Sequence, residues 1–150
     1  MGKALFYHLT RSNAERLLPQ LLGKALEAGW RVELRGRDTE RLARLDDALW
    51  LEEGFLPHGM AGGPHDPRQP VLLRDETAPE AANAPDCLMA LDGCEVTPEE
   101  AEARQRVCII FDGNDPESLD RARAQWRGLT SGGVVAEYWS EAGGRWEKKR

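Results

Sequence analysis

The chain has 150 residues, 41% hydrophobic and 31% charged, a balance that builds one soluble domain over residues 1–150 around a single core. Its net charge of −6 excludes broad nucleic-acid binding, which needs a basic footprint against phosphates, but leaves room for a local basic patch. No run approaches the roughly 20 apolar residues of a membrane span. No apolar stretch of the signal-peptide kind follows Lys3. Three cysteines (Cys87, Cys94, Cys108) with no Cys-x-x-Cys pair fit a reducing, cytoplasmic setting.

The apolar run from Lys3 to Leu9 predicts a first strand. Ser12 or Asn13 caps the helix that follows, and Leu17, Leu18, Leu21, Leu22, Ala25 and Leu26 recur at three- and four-residue spacing up to Gly29. Pro19 is awkward inside that helix, which either has an irregular first turn or begins near the proline. Trp30 to Leu34 alternates as a second strand, and Asp38 or Thr39 caps a second helix through Leu42, Leu45 and Leu49. The stretch from Arg44 to Gly59 is a pivot. It gathers Leu45, Leu49, Trp50, Phe55 and Leu56, then bends at Pro57, which makes either a core corner or a docking ledge.

Beyond it, the segments from Gly59 to Arg68 and from Asp75 to Asp86 read as loops around a short strand at Pro70 to Leu73. Cys87 to Leu91 is a strand, and Thr97 opens a short acidic helix from Pro98 to Gln105. Val107 to Phe111 is apolar throughout, as a strand buried on both faces must be. A helix from Pro116 to Leu129 follows, capped by Asp115 and lined by Leu119, Ala122, Trp126 and Leu129. Val134 to Ser140 is a last edge strand, before a tail holding Trp146 and Lys148-Lys149-Arg150. This alternation predicts a three-layer α/β domain with a mostly parallel central sheet.

Parallel α/β sheets hold ligands at the carboxyl ends of their strands. Here the turn after the first strand is Thr10-Arg11-Ser12-Asn13, without the glycines of a phosphate-binding loop, so neither a nucleotide nor another cofactor is expected. Asp112 ends an apolar strand as a Mg²⁺-binding aspartate would, which keeps open a nucleotide- or metal-dependent enzyme, but Asp112-Gly113-Asn114-Asp115 also reads as plain turn chemistry. His58, His65 and Asp66 match no zinc spacing. The cysteines lie in or beside apolar strands and no G-x-S-x-G occurs. Asp46-Asp47 and Glu52-Glu53 are sequence neighbours that point apart on a helix. On the last helix, Arg123, Trp126 and Arg127 share one face, with Arg121 adding charge nearby. Two guanidinium groups flanking an indole suit an acidic peptide ending in an aromatic residue or a carboxylate. The other reading packs Trp126 into the core with Leu119 and Leu129, leaving the arginines as a solvated face.

Ala4-Leu5-Phe6-Tyr7-His8-Leu9, Leu45-Asp46-Asp47-Ala48-Leu49-Trp50 and Phe55-Leu56-Pro57-His58-Gly59 follow in an order and at separations that resemble the chi subunit of bacterial DNA polymerase III. Val107 to Phe111, Asp112 and the helix from Ser118 to Trp126 fit the same pattern. The resemblance implies a Rossmann-like fold without a nucleotide site and a non-catalytic adaptor of the clamp loader. It implies two partners: the acidic, Phe-terminated tail of single-stranded-DNA-binding protein, gripped around Arg123, Trp126 and Arg127, and the psi subunit, docked on Trp50, Phe55, Leu56 and Pro57. Neither direct nucleic-acid binding nor a membrane enters that role. Two departures stand out: Thr130 replaces a basic residue found one turn later in some relatives, and the tail after Ser140 has no secure counterpart. Its basic cluster either assists an acidic peptide or is a disordered end.

Overall fold

Alternating apolar runs and amphipathic helices build a layered structure. The computed structural model describes residues 2–51, 57–78 and 80–150. Its first half comprises β1 (Lys3–Leu9), α1 (Ala14–Glu27), β2 (Val32–Gly36), α2 (Thr39–Trp50), β3 (Gly59–Met60) and β4 (Val71–Asp75). Its second half comprises β5 (Cys87–Leu91), α3 (Pro98–Ala103), β6 (Arg106–Asp112), α4 (Pro116–Ser131), β7 (Val135–Ser140) and β8 (Glu147–Lys148). The strands form one sheet in the order β3-β4-β2-β5-β6-β1-β7-β8. All pairings are parallel except β7 with β8, so the architecture is the expected three-layer, Rossmann-like α/β fold.

α1, α2 and α3 each start where a side chain satisfies an orphan N–H. Asn13 Oδ1 accepts from Arg16 N at 3.0 Å ahead of α1, and Asp38 Oδ1 from Glu40 N at 2.9 Å ahead of α2. Thr97 and Glu100 form a reciprocal capping box on α3. α1 begins at Ala14 and runs through Pro19, so the proline does not mark its start. Leu17, Leu18 and Leu22 of α1 and Leu42, Leu45 and Leu49 of α2 pack with Val32, Leu34, Val71 and Leu73 on one face of the sheet. On the other, Ala101 of α3 and Ala122 and Leu129 of α4 pack with Phe6, Leu88, Val107, Ile109 and Phe111. β1 and β6 are neighbours, yet the chain leaves β1 toward the first face and β6 toward the second. A crevice therefore opens at their carboxyl ends.

The second-face cluster contains no residue of β2 or β4. There the sheet presents charge. Glu33, at 0% exposure, is held by Arg35 (Nε–Oε2 2.7 Å), Arg74 (Nε–Oε2 3.4 Å) and Arg104 (Nη2–Oε1 4.0 Å). Arg35 also reaches Glu100 at 2.6 Å. Burial opposes the Arg35 charge, but the hydrogen bonds to Glu100 and Glu33 outweigh it and raise its pKa above the ordinary arginine value. Two boundaries differ from expectation. β3 and a 3₁₀ turn at Asp66–Arg68 lie within the stretch expected to be loop, and β7 is not the sheet's edge, because β8 pairs outside it.

Candidate functional site

α4 presents the predicted face. Pro116 sits in its first turn, where a missing N–H costs nothing, and Asp115 occupies the cap position. The Asp115 carboxylate takes the Ser118 hydroxyl at 2.8 Å and makes no bond to a helix N–H. Ala122 and Leu129 are buried, Arg123 and Arg127 are exposed, and Trp126 is half-buried between them. The indole meets Phe6 edge-on at 5.2 Å and Tyr138 edge-on at 5.9 Å. One side of Trp126 thus belongs to the core, while the ring also lines a cavity. Arg121 is not brought to this place. It pairs with Glu117 at 2.9 Å and lines a separate groove beside Gly93.

The rest of the cavity comes from a part of the chain whose pattern gave little sign of it. β7 supplies Tyr138, and the segment after β8 returns alongside, with Lys149 N–H donating to Tyr138 O at 2.7 Å and Tyr138 N–H to Arg150 O at 3.3 Å. The Arg150 guanidinium lies 5.7 Å from the centre of the Trp126 ring. Arg123, Trp126, Arg127, Tyr138, Lys149 and Arg150 together line a volume of about 430 Å³. Among the described residues no Asp or Glu side chain is in that lining. Arg123 Nη1 lies 3.8 Å from Asp120 Oδ1 with both side chains largely in solvent, a weak pairing that leaves the arginine available. A chain of net charge −6 thus concentrates four cations around two aromatic rings.

Below the cavity, Tyr138 Oη is 2.6 Å from His8 Nδ1. Burial, reinforced by the charge of Arg123, lowers the His8 pKa from 6.5, against opposing effects of the Gly113 backbone, Asp112 and Glu141. With its proton on Nε2, the neutral ring leaves Nδ1 to accept the phenol hydroxyl, which orients Tyr138 beneath the indole.

The other predicted residues fall elsewhere. Trp50, at the end of α2, is 55% exposed and stacks on His58 with ring centres 4.1 Å apart. His58 is buried, its Nε2 3.1 Å from Asp46 Oδ1. Leu51 is exposed, Pro57 is half-buried, and Phe55 and Leu56 lie outside the described residues. Leu45 and Leu49 pack in the first-face core, whereas Trp126 packs against the second-face cluster. Asp112 is exposed and its Oδ1 accepts from Asn114 N at 2.9 Å, as in a turn. Asp66 likewise accepts the amides of Gly62 and Gly63. Among the described residues no group of three or more His, Cys, Asp or Glu is placed to hold a metal ion. The cysteines are buried free thiols. A hydrogen bond to Cys108 together with burial pushes Cys87 far up, and burial pushes Cys94 up to about 12.

The turn after β1 lacks glycine, yet three of its amides, those of Thr10, Arg11 and Ser12, do converge on an anion, the carboxylate of Glu141. Residue type alone gave no sign of this, because the acceptor lies some 130 positions away.

Comparison with known families matches residues 1–137 to the family described as DNA polymerase III chi subunit, HolC. No curated protein matches the chain. The matched span holds Arg123, Trp126 and Arg127 and stops before Tyr138, Lys149 and Arg150.

Proposed function

The chain belongs to the DNA polymerase III chi subunit family and is thus an accessory subunit of that polymerase; from this premise we propose that it is a non-catalytic adaptor whose cationic cavity holds the acidic C-terminal tail of single-stranded-DNA-binding protein. By this bridge it links that protein to the clamp loader in the cytoplasm. The observation that carries the reading is the convergence of Arg123, Arg127, Lys149 and Arg150 on Trp126 and Tyr138. Guanidinium and ammonium groups supply charge-assisted donors to carboxylates, and the two rings supply an apolar wall for a terminal phenylalanine. Nothing in this role requires a catalytic group, a cofactor or direct contact with nucleic acid.

The test is a titration of a peptide carrying the acidic, Phe-ended tail onto the wild type and Arg123→Ala. Wild type binds, added salt weakens binding because the cations are exposed, and Arg123→Ala loses about fivefold, the size of an exposed charge pair near 1 kcal/mol. No binding by wild type, or equal binding by both, would sink the reading.

A second surface supports a second partner. Trp50 and Leu51 are large, exposed and adjacent at the end of α2, and they open the block proposed to dock the psi subunit through Trp50, Phe55, Leu56 and Pro57. Psi is expected to co-purify with the wild type and to be lost from Trp50→Ala. Retention by the variant would remove Trp50 from that surface.

A further inference from the structure

Three consecutive amides at the carboxyl end of β1 point at one side chain. Glu141 Oε2 accepts the N–H groups of Thr10 (3.0 Å), Arg11 (3.1 Å) and Ser12 (2.9 Å), and the Ser12 hydroxyl donates to Oε1 at 2.8 Å. In parallel α/β sheets a turn of this kind, leading into a helix N-terminus, commonly receives a ligand's anion. Here the chain inserts its own, and Glu141 is only 6% exposed. Burial disfavours the charge, but the hydrogen bonds from Ser12, Thr10 and Arg11 outweigh it and hold the carboxyl below the usual range, so it is ionised at neutral pH.

Glu141 follows β7 directly and opens the reversal that leads to β8. The Gly144 N–H donates to Glu141 O at 2.9 Å, with Gly144 at φ +95, a conformation glycine adopts without strain. Arg11 Nε donates to Ala142 O at 3.2 Å, so the same β1–α1 turn grips the reversal twice. Past the reversal, the chain runs back to place Lys149 and Arg150 beside Tyr138 and Trp126. Besides its antiparallel backbone pairing with β7, two side-chain contacts hold the returning segment: Trp146 edge-on against Tyr7 at 5.5 Å, and Lys148 with Glu137 at 3.4 Å, a bridge whose lysine is half in solvent and which is therefore weak.

We infer that Glu141 is a positioning residue for the cavity: seated in the amide cradle of Thr10, Arg11 and Ser12, its carboxylate fixes the point at which the chain turns back and so delivers Lys149 and Arg150 to Trp126. The placement stands on geometry alone, while its consequence for binding rests on reading the cavity as an acidic-peptide site. Glu141→Ala leaves three amide donors without their acceptor. Glu141→Gln keeps the size and can leave a carbonyl oxygen in the cradle with its NH2 on the Ser12 hydroxyl, but it loses the charge that strengthens all of these bonds, and it serves as the milder variant if the alanine variant folds poorly.

Two measurements on the full chain separate the parts. In hydrogen exchange, the Lys149 and Tyr138 amides, which pair β7 with the returning segment, lose protection in Glu141→Ala while β5 and β6 keep theirs. Unchanged protection at Lys149 and Tyr138 overturns the inference whether or not any peptide binds. In peptide titration, Glu141→Ala weakens binding about tenfold, as expected from losing two exposed cationic contacts, and added formate restores part of it where sodium chloride at the same ionic strength does not. In a Lys149→Ala/Arg150→Ala background the Glu141 substitution has no further effect. Additive losses, or wild-type affinity in Glu141→Ala, contradict the positioning role. Absence of binding by the wild type contradicts the peptide-site reading instead and leaves the exchange result to decide the placement.

Discussion

Replacing Trp126 tests both sides of one residue. Its inner side contacts Phe6 and Tyr138, and its outer side lines the cavity under Arg150. Truncating a fully buried tryptophan to alanine costs about 3–5 kcal/mol. Trp126 is only half-buried, so Trp126→Ala is expected to cost about 2 kcal/mol by the same scale. For a chain of this length that lowers the melting midpoint by about 4–8 °C. Trp126→Phe keeps an aromatic edge against Phe6 and is expected to cost about 1 kcal/mol or less, while shortening the cavity wall. Thermal unfolding and titration of the acidic peptide are read on both variants. A graded loss of stability is expected, small for phenylalanine, with a loss of affinity above about fivefold in both, the scale of a residue at the centre of an interface. If Trp126→Phe binds as the wild type does, the indole is core alone and the cavity's apolar wall lies elsewhere.

Two further predictions concern the charged interior. Glu33→Gln removes the one acid shared by Arg35, Arg74 and Arg104, and since Arg35 keeps Glu100 the cost falls near the lower end for a broken buried pair, about 3 kcal/mol, read as a midpoint lowered by about 10 °C. A shift within measurement error would show that the network is solvated. The His8 pKa is lowered from 6.5, so between its folded value and 6.5 the unfolded chain binds more protons than the folded one. Its contribution to stability is complete above about pH 6.5 and is lost as pH falls through the folded value. An NMR titration of the His8 ring should give a midpoint below 6.5 that rises in Arg123→Ala, and a midpoint at or above 6.5 would contradict this.

Much of the fold is written locally. Asn13 and Asp38 cap α1 and α2 because short polar side chains reach the next free amides, and the leucine periodicity of both helices is the face that lies on the sheet. The apolar run in β6 is buried almost throughout, as its composition requires. What escaped local reading depends on distant contacts. Glu33, Arg35 and Arg74 look like solvent-facing alternation, yet inside the structure Glu33 pairs with both arginines. Lys148-Lys149-Arg150 reads from sequence either as a help to an acidic peptide or as a disordered end, and the pairing with Tyr138 that brings Lys149 and Arg150 to the cavity is not legible locally. Trp146 was its visible sign, an aromatic in a charged tail that needs a partner and finds Tyr7. Arg121 shows the opposite error: near Arg123 in sequence, it points to another groove.

The five tryptophans offer a direct reading of where an acidic tail binds. Trp30 lies under Arg106, Trp50 over His58, Trp139 donates its indole N–H to Glu137 at 3.0 Å, and Trp146 packs on Tyr7, while Trp126 alone among them lines the cationic cavity. Titrating the isotopically labelled chain with the acidic, Phe-ended peptide should move the Trp126 indole N–H signal saturably and leave those of Trp30 and Trp50 in place. A stationary Trp126 signal, with Trp50 or Trp30 moving in its stead, would place the peptide elsewhere and contradict the account.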